Sequence, residues 1–189
     1  FYANPYDAFG AFDYVMANPP FNVDEVVVEK VIDDARFNTY GVPRNKSNSA
    51  KKASDKKETV PNANYLWISY FATALNENGR AGLVMANSAS DAGNSEYDIR
   101  KNLIESGMIK QMVTLPSNMF TSVTLPATLW FFDKSKIETE RKDEILFVAI
   151  MLRHLFSLLY TSRLVTYCAF SSINCLLGST SSPISILKI

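Results

Sequence analysis

Apolar and polar positions come in blocks along this chain, and the period of each block predicts strands and helices in turn. The first clear block is Tyr14-Val15-Met16-Ala17, a short apolar run that reads as a buried strand. It stops at Asn18-Pro19-Pro20-Phe21, because neither proline can donate to a sheet ladder. Upstream, residues 1–10 read as loop, with Asn4-Pro5 and Gly10 as turn signals. Downstream, Val23, Val27 and Val31 fall at i, i+4 and i+8. That spacing fits a helix or a folded-back loop, and the run of valines weakens the helix.

Residues 62–76 form the strongest helical stretch. Asn62 or Asn64 can cap it, and Leu66, Tyr70, Thr73 and Ala74 share one face, with Trp67, Phe71 and Leu75 beside it. Asn78-Gly79 is expected to end it, with Gly79 suited to a left-handed cap. Its aromatics are expected to pack as core. Residues 81–86 read as a buried parallel strand and residues 88–94 as a turn. Residues 96–106 read as a second helix, with Ile99, Leu103 and Ile104 apolar and Gly107 as its stop. Strands are predicted at residues 109–115 and 125–132, with a loop from Pro116 between them and a turn at residues 133–136. The alternation predicts an α/β fold, a partial doubly wound sheet.

Composition narrows the class. A chain of 189 residues suffices for one domain, and 47% hydrophobic with 20% charged residues suits a soluble globular protein. Formal net charge is zero, so the overall balance gives no electrostatic case for nucleic acid. Cys168 and Cys175 form no Cys/His cluster of metal-ligand spacing. His154, the sole histidine, joins no Ser/His/Asp set, so histidine-based catalysis is not expected. The sequence begins at Phe1 rather than Met and has no signal peptide, which suggests a fragment. Residues 44–57 hold Arg44, Lys46, Lys51, Lys52, Lys56 and Lys57 against Asp55 alone. This segment is expected to be an exposed loop, either merely solvated or touching phosphates through residues such as Lys51 and Lys52.

The candidate chemistry sits at the first strand's end. Asn18 precedes a proline and is pushed to an extended conformation, so its amide is held at the carboxyl end of a strand, where α/β sheets bind ligands. The Asn18 amide oxygen and the Pro19 carbonyl are two acceptors able to aim at one point, which suits an –NH₂ group with two hydrogens to give. Phe21 offers a flat face for a planar ring. The plain alternative is a rigid turn with Phe21 as core.

Asn18-Pro19-Pro20-Phe21 resembles the catalytic tetrapeptide of the amino-group DNA methyltransferases. From residue 1 to about 148 the order of segments is similar to the modification subunit of type I restriction–modification systems, an N6-adenine DNA methyltransferase family. Tyr65-Leu66-Trp67, Asn78-Gly79-Arg80-Ala81-Gly82, Ile99-Arg100 and the stretch from Leu115 to Phe120 carry that likeness beside the tetrapeptide, which alone is specific. The resemblance implies a Rossmann-like, S-adenosylmethionine-dependent fold and methyl transfer to adenine N6 in DNA. It implies Asn18, Pro19, Pro20 and Phe21 as catalytic residues, with Asn18 also facing the cofactor. Phe120 would be a second aromatic holding the flipped base, or else a core anchor after the Pro116 turn. Implied partners are DNA, a specificity subunit that reads the sequence and a restriction subunit, in the cytoplasm and without a membrane.

Two departures qualify this. The family binds its cofactor largely through a Gly-rich turn upstream of the catalytic strand, and no such turn stands here. All 19 acidic residues lie at or before Glu144, and beyond residue 150 only Arg153, Arg163 and Lys188 are basic. Residues 1–148 therefore read as the C-terminal part of a methyltransferase catalytic domain. Residues 149–189 read as an atypical tail, frameshifted or disordered. A membrane span at residues 145–160 is disfavoured, because Arg153-His154 interrupts a run already short of about 20 residues. Methylation of RNA or of protein glutamine stays open, as does an inactive fragment or binding module without a cofactor site.

Overall fold

A computed structural model describes residues 1–44, 58–93, 95–119 and 124–150, together with the backbone of 184–188. Its centre is a six-stranded mixed sheet in the order β1-β2-β4-β3-β5-β6. The strands are β1 (Phe12–Ala17), β2 (Leu75–Ala86), β3 (Ile109–Leu115), β4 (Ala127–Asp133), β5 (Glu144–Ala149) and β6 (Ile184–Lys188). β1 runs parallel to β2, and β3 parallel to β5. β4 inserts antiparallel between β2 and β3, and β6 pairs antiparallel on β5. The predicted α/β class holds, with β3 and β4 joined as an antiparallel pair. Of the residues expected to form a tail, Ala149 completes β5, the Ile150 amide donates to the Thr114 carbonyl at 3.0 Å, and Ile184–Lys188 supplies β6.

The helices are α1 (Ala35–Asn38), α2 (Asn64–Ala74) and α3 (Ser95–Glu105). Tyr65, Ile68 and Ala72 of α2 and Ile99 and Leu103 of α3 pack on one sheet face, against Leu83, Met112, Trp130 and Phe132. Leu66 of α2 looks the other way, into a second cluster with Val26, Val28, Val31, Phe37 and Val60. α2 is thus sandwiched between the sheet and an outer layer, which explains why apolar residues occur nearly all round it. On the opposite sheet face Val113, Leu115, Ala127 and Val148 form a third buried cluster. Among the described residues, no helix is long and apolar enough to cross a membrane.

The region between residues 23 and 32 resolves in favour of the folded-back loop. Only Val28–Lys30 forms a 3₁₀ turn, and the Val28 and Val60 amides make a two-bond ladder with the Glu58 and Val26 carbonyls, each at 2.9 Å. Side-chain burial of four valines outweighs local helix periodicity here.

Gly79 departs from expectation. Helix α2 stops at Ala74, and Leu75 is already extended at φ −72°, ψ 136°. Gly79 has no left-handed φ. It is required by close approach: a Cβ there would sit 2.8 Å from the Phe12 carbonyl oxygen and 2.9 Å from the Leu75 Cβ. This is where the β1–β2 register shifts, between Phe12 and Tyr14. Gly79→Ala should therefore cost about 1–3 kcal/mol, as overpacking does where backbone must give. Chemical denaturation checks it, and an unchanged midpoint would contradict the close approach. Gly107, by contrast, ends α3 at φ +72° as predicted.

Candidate functional site

β1 delivers the tetrapeptide to the carboxyl end of the sheet's parallel strands. Asn18 is exposed, Pro19 buried, Pro20 exposed and Phe21 half-buried. Among the described residues the Asn18 amide has no hydrogen-bond partner, so both its oxygen and its –NH₂ are presented outward. Pro19 has its φ set by its own ring and its ψ restricted by Pro20 after it, which together limit the direction of its carbonyl. Phe21 is neither free surface nor deep core.

The exit from the tetrapeptide is pinned. Asn22 adopts a left-handed backbone at φ +54°, a conformation asparagine tolerates better than most residues. Its amide donates to Asn64 Oδ1 at 2.9 Å, and Asn64 Nδ2 donates back to Asn22 Oδ1 at 2.8 Å. Asn64 opens α2 and is only 2% exposed. The Asn64 amide nitrogen donates to Asn62 Oδ1 at 3.0 Å, and Asn62 Nδ2 donates to Glu96 Oε1 at 2.7 Å. Burial pushes the Glu96 carboxyl above its usual range, although the Asn62 hydrogen bond and the Arg100 charge pull the other way. One residue further on, the Ala63 amide donates to the Val23 carbonyl at 2.7 Å. So Asn62 serves the helix start, while Asn64 spends its amide on the loop. Sequence reasoning took Asn64 only as a possible cap. The missed signal was a polar side chain opening an otherwise apolar helix, which must find a partner once buried.

Other residues reach the same sheet edge. Asn87 follows β2 and accepts from the Thr128 hydroxyl at 2.8 Å. Asn118 follows β3 at φ +61°. Phe120, Lys51 and Lys52, singled out in the sequence, lie outside the described residues. Of that basic stretch Arg44 is seen, exposed, its amide donating to Ser95 Oγ at 3.2 Å.

The glycines test whether a nucleotide-like cofactor such as S-adenosylmethionine finds a cradle. Gly79 and Gly107 are tight, but against this chain's own backbone. Gly93, beyond β2, has nothing within 4 Å of a Cβ position. Among the described residues, none of these glycines forms a cradle for such a cofactor. Elsewhere, a cavity of about 250 Å³ opens at the opposite sheet edge, lined by Lys110, Asp133, Lys136 and Arg141 among others. Its deep charges are spoken for. Asp133 takes Lys110 Nζ at 3.0 Å and Arg80 Nε at 3.2 Å, and Lys136 Nζ donates to the Gly107, Ile109 and Lys142 carbonyls. Burial raises the Asp133 carboxyl, but Ser135, Lys110 and Arg80 more than offset this and leave it below the usual range. That cavity is held by structural ion pairs and asks for no ligand.

Comparison with known proteins places these features. A family described as N-6 DNA Methylase matches residues 2–154. The MjaIX type I restriction enzyme methylase subunit of Methanocaldococcus jannaschii is 40% identical over 141 residues, covering 72% of this chain and 23% of its own length. The HindI methylase subunit of Haemophilus influenzae is 36% identical over 137 residues, covering 72% and 27%. This chain thus spans about a quarter of the length of those relatives. Among solved structures, a type I restriction–modification methyltransferase subunit from Streptococcus thermophilus superposes with a TM-score of 0.59 at 22% identity. The match covers 80% of this chain and 31% of that one, and it shows a shared fold.

Proposed function

The chain belongs to the N-6 DNA methylase family, and from that premise we propose that it supplies the base-holding edge of an adenine-specific DNA methyltransferase. The parent activity is that of the modification subunit of a type I restriction–modification system. One observation carries the reading. An exposed asparagine amide, without a protein partner among the described residues, stands at the carboxyl end of a strand with its exit pinned by Asn22 and Asn64.

The adenine amine is a weak nucleophile, because its lone pair is delocalised into the ring. Accepting both N6 hydrogens, through Asn18 Oδ1 and the Pro19 carbonyl, favours a tetrahedral nitrogen with its lone pair free to attack. Hydrogen bonds that strengthen in the transition state lower the barrier directly. The nitrogen, positively charged once the methyl is attached, then sheds one proton, acidic enough to pass to water, so no side chain with a matched pKa is required. Pro20 stiffens the turn so that the two acceptors keep their relation. Adenine cannot reach Asn18 from within a duplex, so it flips out at a cost of a few kcal/mol. Stacking on Phe21 recovers about 1–3 kcal/mol of that.

Family and fold imply S-adenosylmethionine, which supplies an electrophilic methyl group when bound. The described residues lack its cradle, so the roles assigned to this chain concern the amine alone. Tyr14 and Met16 are 74% and 91% exposed on an edge strand, a surface that proteins normally cover. We place the rest of the cofactor pocket beyond that edge, in a longer protein. DNA is the proposed substrate, with specificity and restriction subunits as partners in the cytoplasm. Lys51 and Lys52 are proposed phosphate contacts.

The test is methyl transfer by the intact protein carrying this chain, read by nucleoside mass spectrometry of digested DNA. N6-methyladenine is the expected product. Methyl on RNA or glutamine, or no product, would overturn the reading.

A further inference from the structure

Asn22 and Asn64 lie 42 positions apart in the chain and meet through two reciprocal hydrogen bonds, at 2.9 and 2.8 Å. Neither is one of the two acceptors proposed for the amine. We infer that they are a positioning pair: Asn64, buried at the start of α2, sets the reach and aim of the Asn18 amide by fixing Asn22. The inference rests on the reading of Asn18 given above.

Between Asn18 and Asn22 stand two prolines, whose rings lock φ near −65°. The residues before prolines are restricted as well. Few soft torsions remain between the catalytic amide and the pair, so a fixed Asn22 leaves Asn18 little room to swing. Upstream, Ala17 is held by its pairing with Leu83 of β2. The tetrapeptide is thus tied at both ends, to strand β2 on one side and helix α2 on the other. The downstream tie is strong for a stated reason. Asn64 is 2% exposed, so its amide has no water to turn to if Asn22 departs. Its own place is secured in turn by Asn62, and through Asn62 by Glu96 of α3. Asn22 makes its side-chain contact with Asn64 from a left-handed backbone at φ +54°.

Four single variants of the intact methylase, Asn18→Ala, Asn64→Ala, Asn22→Gly and Asn22→Asp, and one double variant test this. Asn64→Ala removes both hydrogen bonds. Its kcat should fall roughly 10- to 100-fold, the scale of a misplacement near 1 Å, with KM for DNA moving far less. Asn22→Gly keeps the left-handed backbone but deletes the acceptor, and kcat should fall in the same direction. Asn22→Asp keeps both the acceptor and a tolerance for positive φ, and should recover most of the loss seen with glycine. The Asn22→Gly/Asn64→Ala double variant should be no slower than Asn64→Ala alone, because the pair acts as a unit. A merely structural pair would lower stability without this kcat pattern or the rescue by aspartate. If Asn64→Ala fails to fold, Asn22→Gly decides, being an exposed loop substitution. An Asn22→Gly kcat within about twofold of wild type, while Asn18→Ala is dead, would overturn the positioning role and leave the reading of Asn18 intact. Near-normal turnover in Asn18→Ala would overturn that reading, and this inference with it.

Discussion

Asn18→Ala is expected to abolish methyl transfer while leaving DNA binding in place. The substitution removes one of the two acceptors proposed for the adenine amine. Deleting a single pre-organised group that acts mainly in the transition state costs roughly 10²–10³ in kcat. The fold should not notice. Asn18 is exposed and its amide has no partner among the described residues, so stability should stay within about 0.5 kcal/mol. Under the proposed function, affinity for DNA comes mainly from phosphate contacts, so it should hold within a small factor. Asn18→Asp is the informative companion, because a carboxylate keeps an acceptor in the same place and should retain part of the activity. Methyl incorporation, fluorescence anisotropy on a duplex and a thermal melt separate the three effects. Near-normal turnover in Asn18→Ala would refute the role. Lost DNA binding would point instead to a direct contact with the duplex.

The elements that could be read from sequence were those whose signals are local. Tyr14-Val15-Met16-Ala17 ends where the prolines forbid a ladder, and β1 does end at Ala17. It is, however, an edge strand with Tyr14 and Met16 exposed and not the buried strand expected, because among the described residues its outer side has no neighbouring strand. α3 ends before Gly107, whose φ of +72° needs a glycine. The core aromatics of α2 could be foreseen because few positions on that helix are polar. What stayed hidden depends on partners far away in the chain. β4 looks like any other buried strand, and nothing in its sequence states that it inserts antiparallel between β2 and β3. Gly79 carries the mark of a helix cap, yet its reason is the Phe12 carbonyl, 2.8 Å from where a Cβ would stand. Asn64 reads as a cap because capping is the commonest use of asparagine near a helix start. Its bond to Asn22 could not be inferred without the fold. The tetrapeptide was legible for the opposite reason: its proline stiffness and its chemistry are contained in four consecutive residues.

The largest stability effect is expected at Asp34, away from the tetrapeptide. Arg36 is 5% exposed, in the second cluster's neighbourhood, between the Phe37 and Tyr70 rings. Asp34 neutralises it, with Arg36 Nη2 at 2.6 Å from Asp34 Oδ2, and also caps α1 by accepting from the Arg36 amide at 2.9 Å. The same guanidinium donates to the Ala3 carbonyl at 3.0 Å and the Phe1 carbonyl at 3.3 Å, drawing the first residues against Trp67. Asp34→Ala leaves a buried cation unpaired and a helix uncapped. Removing one partner of such a pair costs about 3 kcal/mol, at the low end of the range because Asp34 is partly exposed. The pH dependence follows from the sign of the shift. The Arg36 hydrogen bonds hold the Asp34 carboxyl below its usual range, against the opposing effect of burial. Its contribution is therefore complete above the unfolded value near 3.9 and is lost as pH falls through the lower folded one. Wild type should lose more stability than Asp34→Asn between pH 5 and pH 2, read as the denaturation midpoint at each pH. Asp133 shifts the same way and Glu96 the opposite way, but both are common to the two proteins and cancel in the difference. Parallel curves would mean that Arg36 is satisfied by the Phe1 and Ala3 carbonyls alone. At a temperature where Asp34→Ala is still folded, its kcat should match wild type. The loop beyond Asn22 is held at its near end by Asn64, and Asp34 secures only the far side of the layer that packs on α2.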